Sequence, residues 1–257
     1  MNGKTKGIQY EEYYEKERCG FPCFLLVLLP SQVVAQQKIP ILIYHSIDEF
    51  KGVGSKELYV TPENFEKQMI YLRDHGFTLL TFEKWEDRNK VKKPIFITFD
   101  DGYKNNLNAF AIFQKLKSEK FQPSGTIFVL SDFLGRSNRL SPSDLKMMVD
   151  SGMISIQSHT ATHPDLTNIT NFDYELKKAK EKIQHSTGKP VIALAYPYGN
   201  TNKKVVEETK KYYRFGLTTT PELFTEKGMK DEFYFLPRMY IKYSTTMEEF
   251  GKIVEGE

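Results

Sequence analysis

From residue 39 onward, short runs of consecutive apolar residues alternate with longer stretches in which apolar positions recur every three or four residues. The runs 39–44 (IPILIY), 78–80, 94–99 (PIFITF), 125–130, 153–157 (MISIQ), 191–196 and 215–218 have the length and composition of buried strands. Between them, 62–75 carries Phe65, Met69 and Leu72 on one helical face, with Thr61 placed to cap its start and Gly76 to end it. Further helices are expected over 105–119, from Ser141 onward, over 172–186 and over 202–212. Strands that alternate with helices lie parallel to one another, so the predicted fold class is α/β. Seven or eight such units in one domain suit a β/α barrel better than a six-stranded open sheet, although both share the alternation.

A barrel of this kind concentrates its chemistry where strands end and the following loops begin. The residues at those ends are His45, Asp100 with Asp101, Ser158 with His159, and Pro197 with Tyr198. Adjacent residues leaving a strand point in different directions, so of Asp100 and Asp101 one can ligate a metal while the other acts as a base. An Asp-Gly turn that caps the next helix is the structural alternative. His159 and His163 are spaced as a metal-ligand pair, and Pro164 with Thr160 and Thr162 favours a loop that folds both rings inward over a helix. Two imidazoles and one carboxylate leave coordination positions open, the arrangement of a hydrolytic site. In Ala195-Tyr196-Pro197-Tyr198-Gly199 the Pro and Gly fix a turn that can aim the Tyr198 N–H into the site as an oxyanion donor; taken by itself the segment reads first as a plain structural turn.

Composition narrows the ligand types. Of 257 residues only two are Cys, Cys19 and Cys23, and both precede residue 39, so a metal site in the main body must use His, Asp or Glu. Five His make each one informative; His75, before a helix-ending Gly, and His185, near the end of a charged helix, read as structural. With 36 basic against 33 acidic residues mixed along the chain, a nucleic-acid partner is not expected.

Residues 21–35 (FPCFLLVLLPSQVVA) are too short to span a bilayer comfortably and match the apolar region of a secretory signal, with Val33 and Ala35 suited to cleavage before Gln36. Residues 1–38 are therefore expected to be a signal peptide or membrane anchor. Upstream, Lys4, Lys6, Lys16 and Arg18 are balanced by Glu11, Glu12, Glu15 and Glu17, which departs from the usual positive excess. Cleavage would leave a cysteine-free chain outside the cytoplasm.

Together and in this order, TFDDG, SHTATHP and AYPYG resemble the motifs of the polysaccharide deacetylases with a NodB-homology domain, carbohydrate esterase family four, over residues 39 to about 241. The resemblance implies a single deacetylase domain over 39–257, folded as a distorted (β/α) barrel with about seven parallel strands. It further implies a divalent metal and release of acetate from N-acetylated sugars. Zinc is the expected ion, with cobalt, nickel or iron also suited to such ligands. By the same resemblance Asp100 is the general base, Asp101, His159 and His163 hold the metal, and the Tyr198 N–H stabilises the oxyanion.

Two departures from the family pattern matter. The third motif often begins with an Arg that orients the base, where this chain has Ala195; Arg238, in Leu236-Pro237-Arg238, is the candidate substitute. No His follows His185, so the usual C-terminal acid His is absent and His45 is the candidate acid. That placement resembles the branch acting on poly-β-1,6-N-acetylglucosamine. The expectation is a monomeric, secreted or cell-surface bacterial enzyme whose partner is an acetylated polysaccharide: poly-N-acetylglucosamine, peptidoglycan or a chitin-like polymer. The alternatives are an O-acetyl esterase on a xylan-like polymer and a catalytically silent carbohydrate-binding barrel.

Overall fold

A computed structural model of the chain describes residues 37–257. The apolar run 21–35, the cleavage position before Gln36, and Cys19 and Cys23 lie outside the described residues.

The strands are β1 (Ile41–Tyr44), β2 (Ser46–Ile47), β3 (Tyr59–Val60), β4 (Thr78–Leu80), β5 (Pro94–Phe99), β6 (Gly125–Val129), β7 (Ile154–Ser158), β8 (Ala193–Ala195), β9 (Phe215–Leu217) and β10 (Met239–Tyr240). The helices are α1 (Pro62–Asp74), α2 (Asn106–Leu116), α3 (Pro142–Asp150), α4 (Ala179–Thr187), α5 (Lys203–Lys210) and α6 (Met247–Glu255). The main sheet runs β10-β1-β5-β6-β7-β8-β9, every pairing parallel, while β2 and β3 form a separate parallel pair. β4 adds to the first half of β5, at Pro94 to Phe96, and β6 takes up the second half, at Thr98 and Phe99. After β9 the chain returns through Leu236, which bridges Leu217, to β10 beside β1. One short stretch thus serves both edges of the curled sheet, giving the distorted barrel of seven parallel strands that the alternation and the resemblance imply.

Local chemistry explains where the elements begin and end. Thr61 Oγ1 accepts from the Asn64 N–H and Pro62 occupies the first turn of α1, where its missing N–H costs nothing. Ser141 and Asp144 cap α3 reciprocally. Ile39, expected in the first strand, instead pairs across to Phe224 in an antiparallel bridge, because Pro40 has no N–H to continue a ladder. The helix expected over 105–119 stops at Leu116, where Lys117 turns extended. The one expected over 172–186 begins as a π-helical turn, Asp173–Lys178, before it settles into α4.

Strand alternation divides the core in two. Residues Ile95, Ile97 and Phe99 of β5 face the helices, among Leu42, Phe65 and Phe113. Phe96 faces the barrel interior, where Trp85 packs against Phe82, Phe96, Phe215, Phe224 and Phe233 at ring-centroid distances from 5.1 to 6.0 Å. Counting on by twos from Phe96 gives Thr98 and then Asp100, so the interior turns polar at the carboxyl ends of the strands.

Candidate metal and catalytic site

Asp100 follows β5 as its third interior position. It is buried, and its carboxylate receives both arms of the Arg238 guanidinium, Nη1 to Oδ1 at 2.7 Å and Nη2 to Oδ2 at 2.8 Å. Arg238, itself fully buried, also donates from Nε to the Thr218 carbonyl and from Nη1 to the Thr98 hydroxyl. Burial would raise the Asp100 carboxyl, but the charge of Arg238, followed by those of His159 and His45, outweighs it and brings the pKa to about 2. Asp100 is therefore ionised at every pH near neutrality.

Asp101 turns the other way. Its φ of 70° and that of Gly102, 61°, place two successive residues in the left-handed region. A Cβ on Gly102 would also lie 2.9 Å from Val129 Cγ1, so the turn needs glycine there on two counts. The turn brings Asp101 Oδ1 to 3.7 Å from both His159 Nε2 and His163 Nε2. One ligand atom from each of these three residues lies within 4.8 Å of the others.

His159 continues the interior face of β7 past Gln157. Its Nδ1 lies 2.8 Å from the Ala195 carbonyl oxygen, which can only accept, so Nδ1 carries a proton and Nε2 is the ring atom left to face Asp101. Position 195, where the family's third motif often has Arg, thus contributes its backbone, and its small side chain is buried in the barrel interior. At His163 burial and the neighbouring His159 hold the imidazole below its ordinary pKa, which favours the neutral form that binds metals. A carboxylate and two imidazoles whose Nε2 atoms face it, one ring fixed from behind by a carbonyl, form a donor set suited to a zinc-like divalent ion.

Tyr198 has φ 62°, between Pro197 and Gly199, and its exposed ring stands edge-on to His163 at 4.7 Å. His45, following β1, stacks on Tyr240 at 5.3 Å, with Nδ1 3.3 Å from the Tyr240 hydroxyl. Burial pushes the His45 imidazole below its ordinary value, opposed by Asp100 and Asp101. Burial also raises Tyr240, so its hydroxyl stays protonated.

All seven residues singled out in the sequence thus gather at one end of the barrel through these contacts. His75 stacks on Tyr71 instead, and His185 lies in the last turn of α4. Three further residues support the site. Tyr240 was within reach, since alternation puts it on the same face as Arg238. Asn106, whose Nδ2 donates to the His45 carbonyl at 2.7 Å, and Glu175, which binds the loop between the two metal-ligand candidates, carry no signal in sequence.

Residues 87–215 match the polysaccharide deacetylase family. A polysaccharide deacetylase from Bacillus cereus of known crystal structure is 54% identical, with a TM-score of 0.84 over 85% of this chain and 69% of its own. A Streptococcus pyogenes deacetylase solved with acetate is 25% identical, TM-score 0.76, over 85% of this chain and 99% of its own. The poly-β-1,6-N-acetyl-D-glucosamine N-deacetylase of Staphylococcus epidermidis is 27% identical over 77% of this chain and 75% of its own.

Proposed function

We propose, from the premise that the chain belongs to the polysaccharide deacetylase family, that it removes N-acetyl groups from an N-acetylglucosamine polymer and releases acetate. The observation that carries this reading is the juxtaposition of two carboxylates with different environments. Asp100 is locked on Arg238, while Asp101 is turned toward His159 and His163. Asp101, His159 and His163 would hold a divalent ion, zinc before cobalt, nickel or iron. When bound, that ion polarises the acetamide carbonyl and acidifies a water molecule.

Asp100, kept ionised by Arg238, takes the proton of the attacking water. Its Oδ2 is 3.8 Å from His159 Nε2, close beside the ligand set. The Tyr198 N–H donates to the carbonyl oxygen as it gains negative charge. His45 in its protonated form gives its proton to the nitrogen as the C–N bond breaks, so acetate and a free amine leave. Its lowered pKa makes it a readier donor once charged, and Tyr240 fixes the ring plane. Arg238, in this reading, orients the base from β10's side of the barrel, in place of the Arg that the third motif lacks.

The likeness to the Staphylococcus enzyme, over three quarters of either chain, favours a β-1,6-linked substrate; peptidoglycan and chitin-like polymers carry the same acetamide. An extracytoplasmic location follows from such substrates and from residues 1–38 as a signal or anchor. Among the described residues no helix is long and apolar enough to cross a membrane. The test is acetate release from acetylated glucosamine oligomers, peptidoglycan and acetylated xylan, before and after chelation. The expected result is release from the glucosamine oligomers, abolished by chelation and restored by zinc. Release from acetylated xylan alone would replace the amidase by an ester hydrolase, and release indifferent to chelation would remove the metal from the reading.

A further inference from the structure

The loop from His159 to His163 has to present two imidazoles to one point, and it does so in an unfavourable conformation. Thr160 and His163 adopt φ of 73° and 68°, a region that side-chain-bearing residues avoid. The loop's own bonds, Thr160 N–H to Ser158 Oγ at 3.3 Å and His163 N–H to Thr160 Oγ1 at 3.0 Å, are local. Ser131 and Asp132 hold its carbonyls, their N–H groups donating to Thr160 and Ala161, each at 3.1 Å. The middle N–H groups are held from elsewhere. Glu175 Oε2 accepts from the Ala161 N–H at 2.9 Å and the Thr162 N–H at 3.0 Å, and Oε1 accepts from the Thr162 hydroxyl at 2.7 Å.

Glu175 is buried and lies in the π-helical turn Asp173–Lys178. Such a turn carries one residue more than an α-helix would over the same length, which redirects the side chains of that turn, and π-turns of this kind gather at functional sites. A buried carboxylate accepting three donors from two adjacent residues is a clamp on the loop's apex, midway between the two rings.

We propose that Glu175 is a positioning residue for the metal ligands: by fixing the apex of the 159–163 loop it sets the separation of the His159 and His163 rings, and so the affinity of the site for its ion. The inference rests on the reading of Asp101, His159 and His163 as ligands. It predicts an effect on metal affinity in protein that is folded without metal, which a merely structural residue would not produce.

The experiment is competition for zinc against a chromophoric chelator. It compares the unsubstituted protein, Glu175→Ala, Glu175→Gln, Thr162→Val and His163→Ala, with the thermal midpoint of each metal-free form recorded in parallel. Glu175→Ala should weaken zinc binding about 10- to 100-fold, the range for loss of an outer residue that supports ligands. Glu175→Gln, which still accepts from the two N–H groups, and Thr162→Val, which removes only the hydroxyl bond, should each lose less, while remaining folded at the assay temperature. Zinc affinity within twofold of the unsubstituted protein in Glu175→Ala overturns the clamp. If that variant does not fold, the same result in both Glu175→Gln and Thr162→Val overturns it. Failure of the underlying reading shows differently: the unsubstituted protein would bind no zinc, or His163→Ala would bind it undiminished.

Discussion

Replacing Arg238 by Met removes the guanidinium from Asp100 while keeping much of the buried volume, and the structure sets what should follow. In the native site the Asp100 carboxyl falls from an ordinary 3.8 to about 2, which amounts to roughly 2–3 kcal/mol of stability at neutral pH. Because the folded value lies below the unfolded one, this contribution is present above about pH 4 and is lost as the pH falls toward 2. Without Arg238 the sign reverses. Burial, the largest single influence on this group, then acts without the guanidinium that opposes it, and the carboxyl is expected to rise. The variant's Asp100 favours folding while protonated and opposes it as the pH rises through its raised value. An unpaired buried charge of this kind costs about 3–5 kcal/mol. The difference in unfolding free energy between native protein and variant should therefore be about 1–2 kcal/mol at pH 3, where the native carboxyl is still largely ionised, and several kcal/mol larger at pH 7. Denaturant melts of the metal-free proteins across that range measure it, and Arg238→Met combined with Asp100→Asn should recover much of the loss at pH 7. Acetate release by Arg238→Met should acquire an acidic limb at higher pH than the native enzyme shows, since its base is no longer held ionised. A stability difference equal at pH 3 and pH 7 would refute the reasoning, because it would mean that the guanidinium acts through packing and not through the charge of Asp100.

His45→Ala should lower turnover by about 10²- to 10⁴-fold with zinc content unchanged, and Tyr240→Phe should lower it less; undiminished turnover in His45→Ala would move the acid elsewhere. Gly199→Ala would set a Cβ 2.2 Å from Thr219 Oγ1 and 2.7 Å from Thr219 N at a φ of 73°. It should destabilise by about 1–3 kcal/mol and cut turnover through the displaced Tyr198 N–H, whereas a native melting curve with native turnover would show that the turn tolerates a side chain.

What was legible in the chain, and what was not, divides along a physical line. Strands buried on both faces and helices with one apolar stripe are written in composition and period, so PIFITF, MISIQ and the face of Phe65, Met69 and Leu72 could be placed almost to the residue. The barrel's interior face is equally readable once β5 is recognised: Phe96, Thr98 and Asp100 succeed one another by alternation, and the same counting on the far strand joins Arg238 to Tyr240. Contacts between residues more than a hundred positions apart have no period. That Arg238 meets Asp100 depends on the chain from β9 bridging Leu217 at Leu236 before it pairs with β1. The sequence can therefore offer Arg238 as a substitute for the Arg missing at Ala195, but only the curl of the sheet brings its guanidinium onto Asp100. Backbone conformation is the other hidden layer. Among the described residues five other than glycine have left-handed φ, and four of them, Asp101, Thr160, His163 and Tyr198, are at the site. Nothing in the propensities of Thr or Tyr announces that conformation, and each instance costs on the order of 1–2 kcal/mol. It persists because the surroundings over-determine it: Gly102 beside Asp101, Glu175 across the histidine loop, Pro197 and Gly199 around Tyr198. The cost falls on the residues whose side chains or N–H must point inward, as expected where a fold spends stability to hold reactive groups ready. A substitution that relieves the strain where the side chain is exposed, Tyr198→Gly, should accordingly relax the backbone and slacken the aim of the residue-198 N–H, so that folding stability and turnover move in opposite directions there.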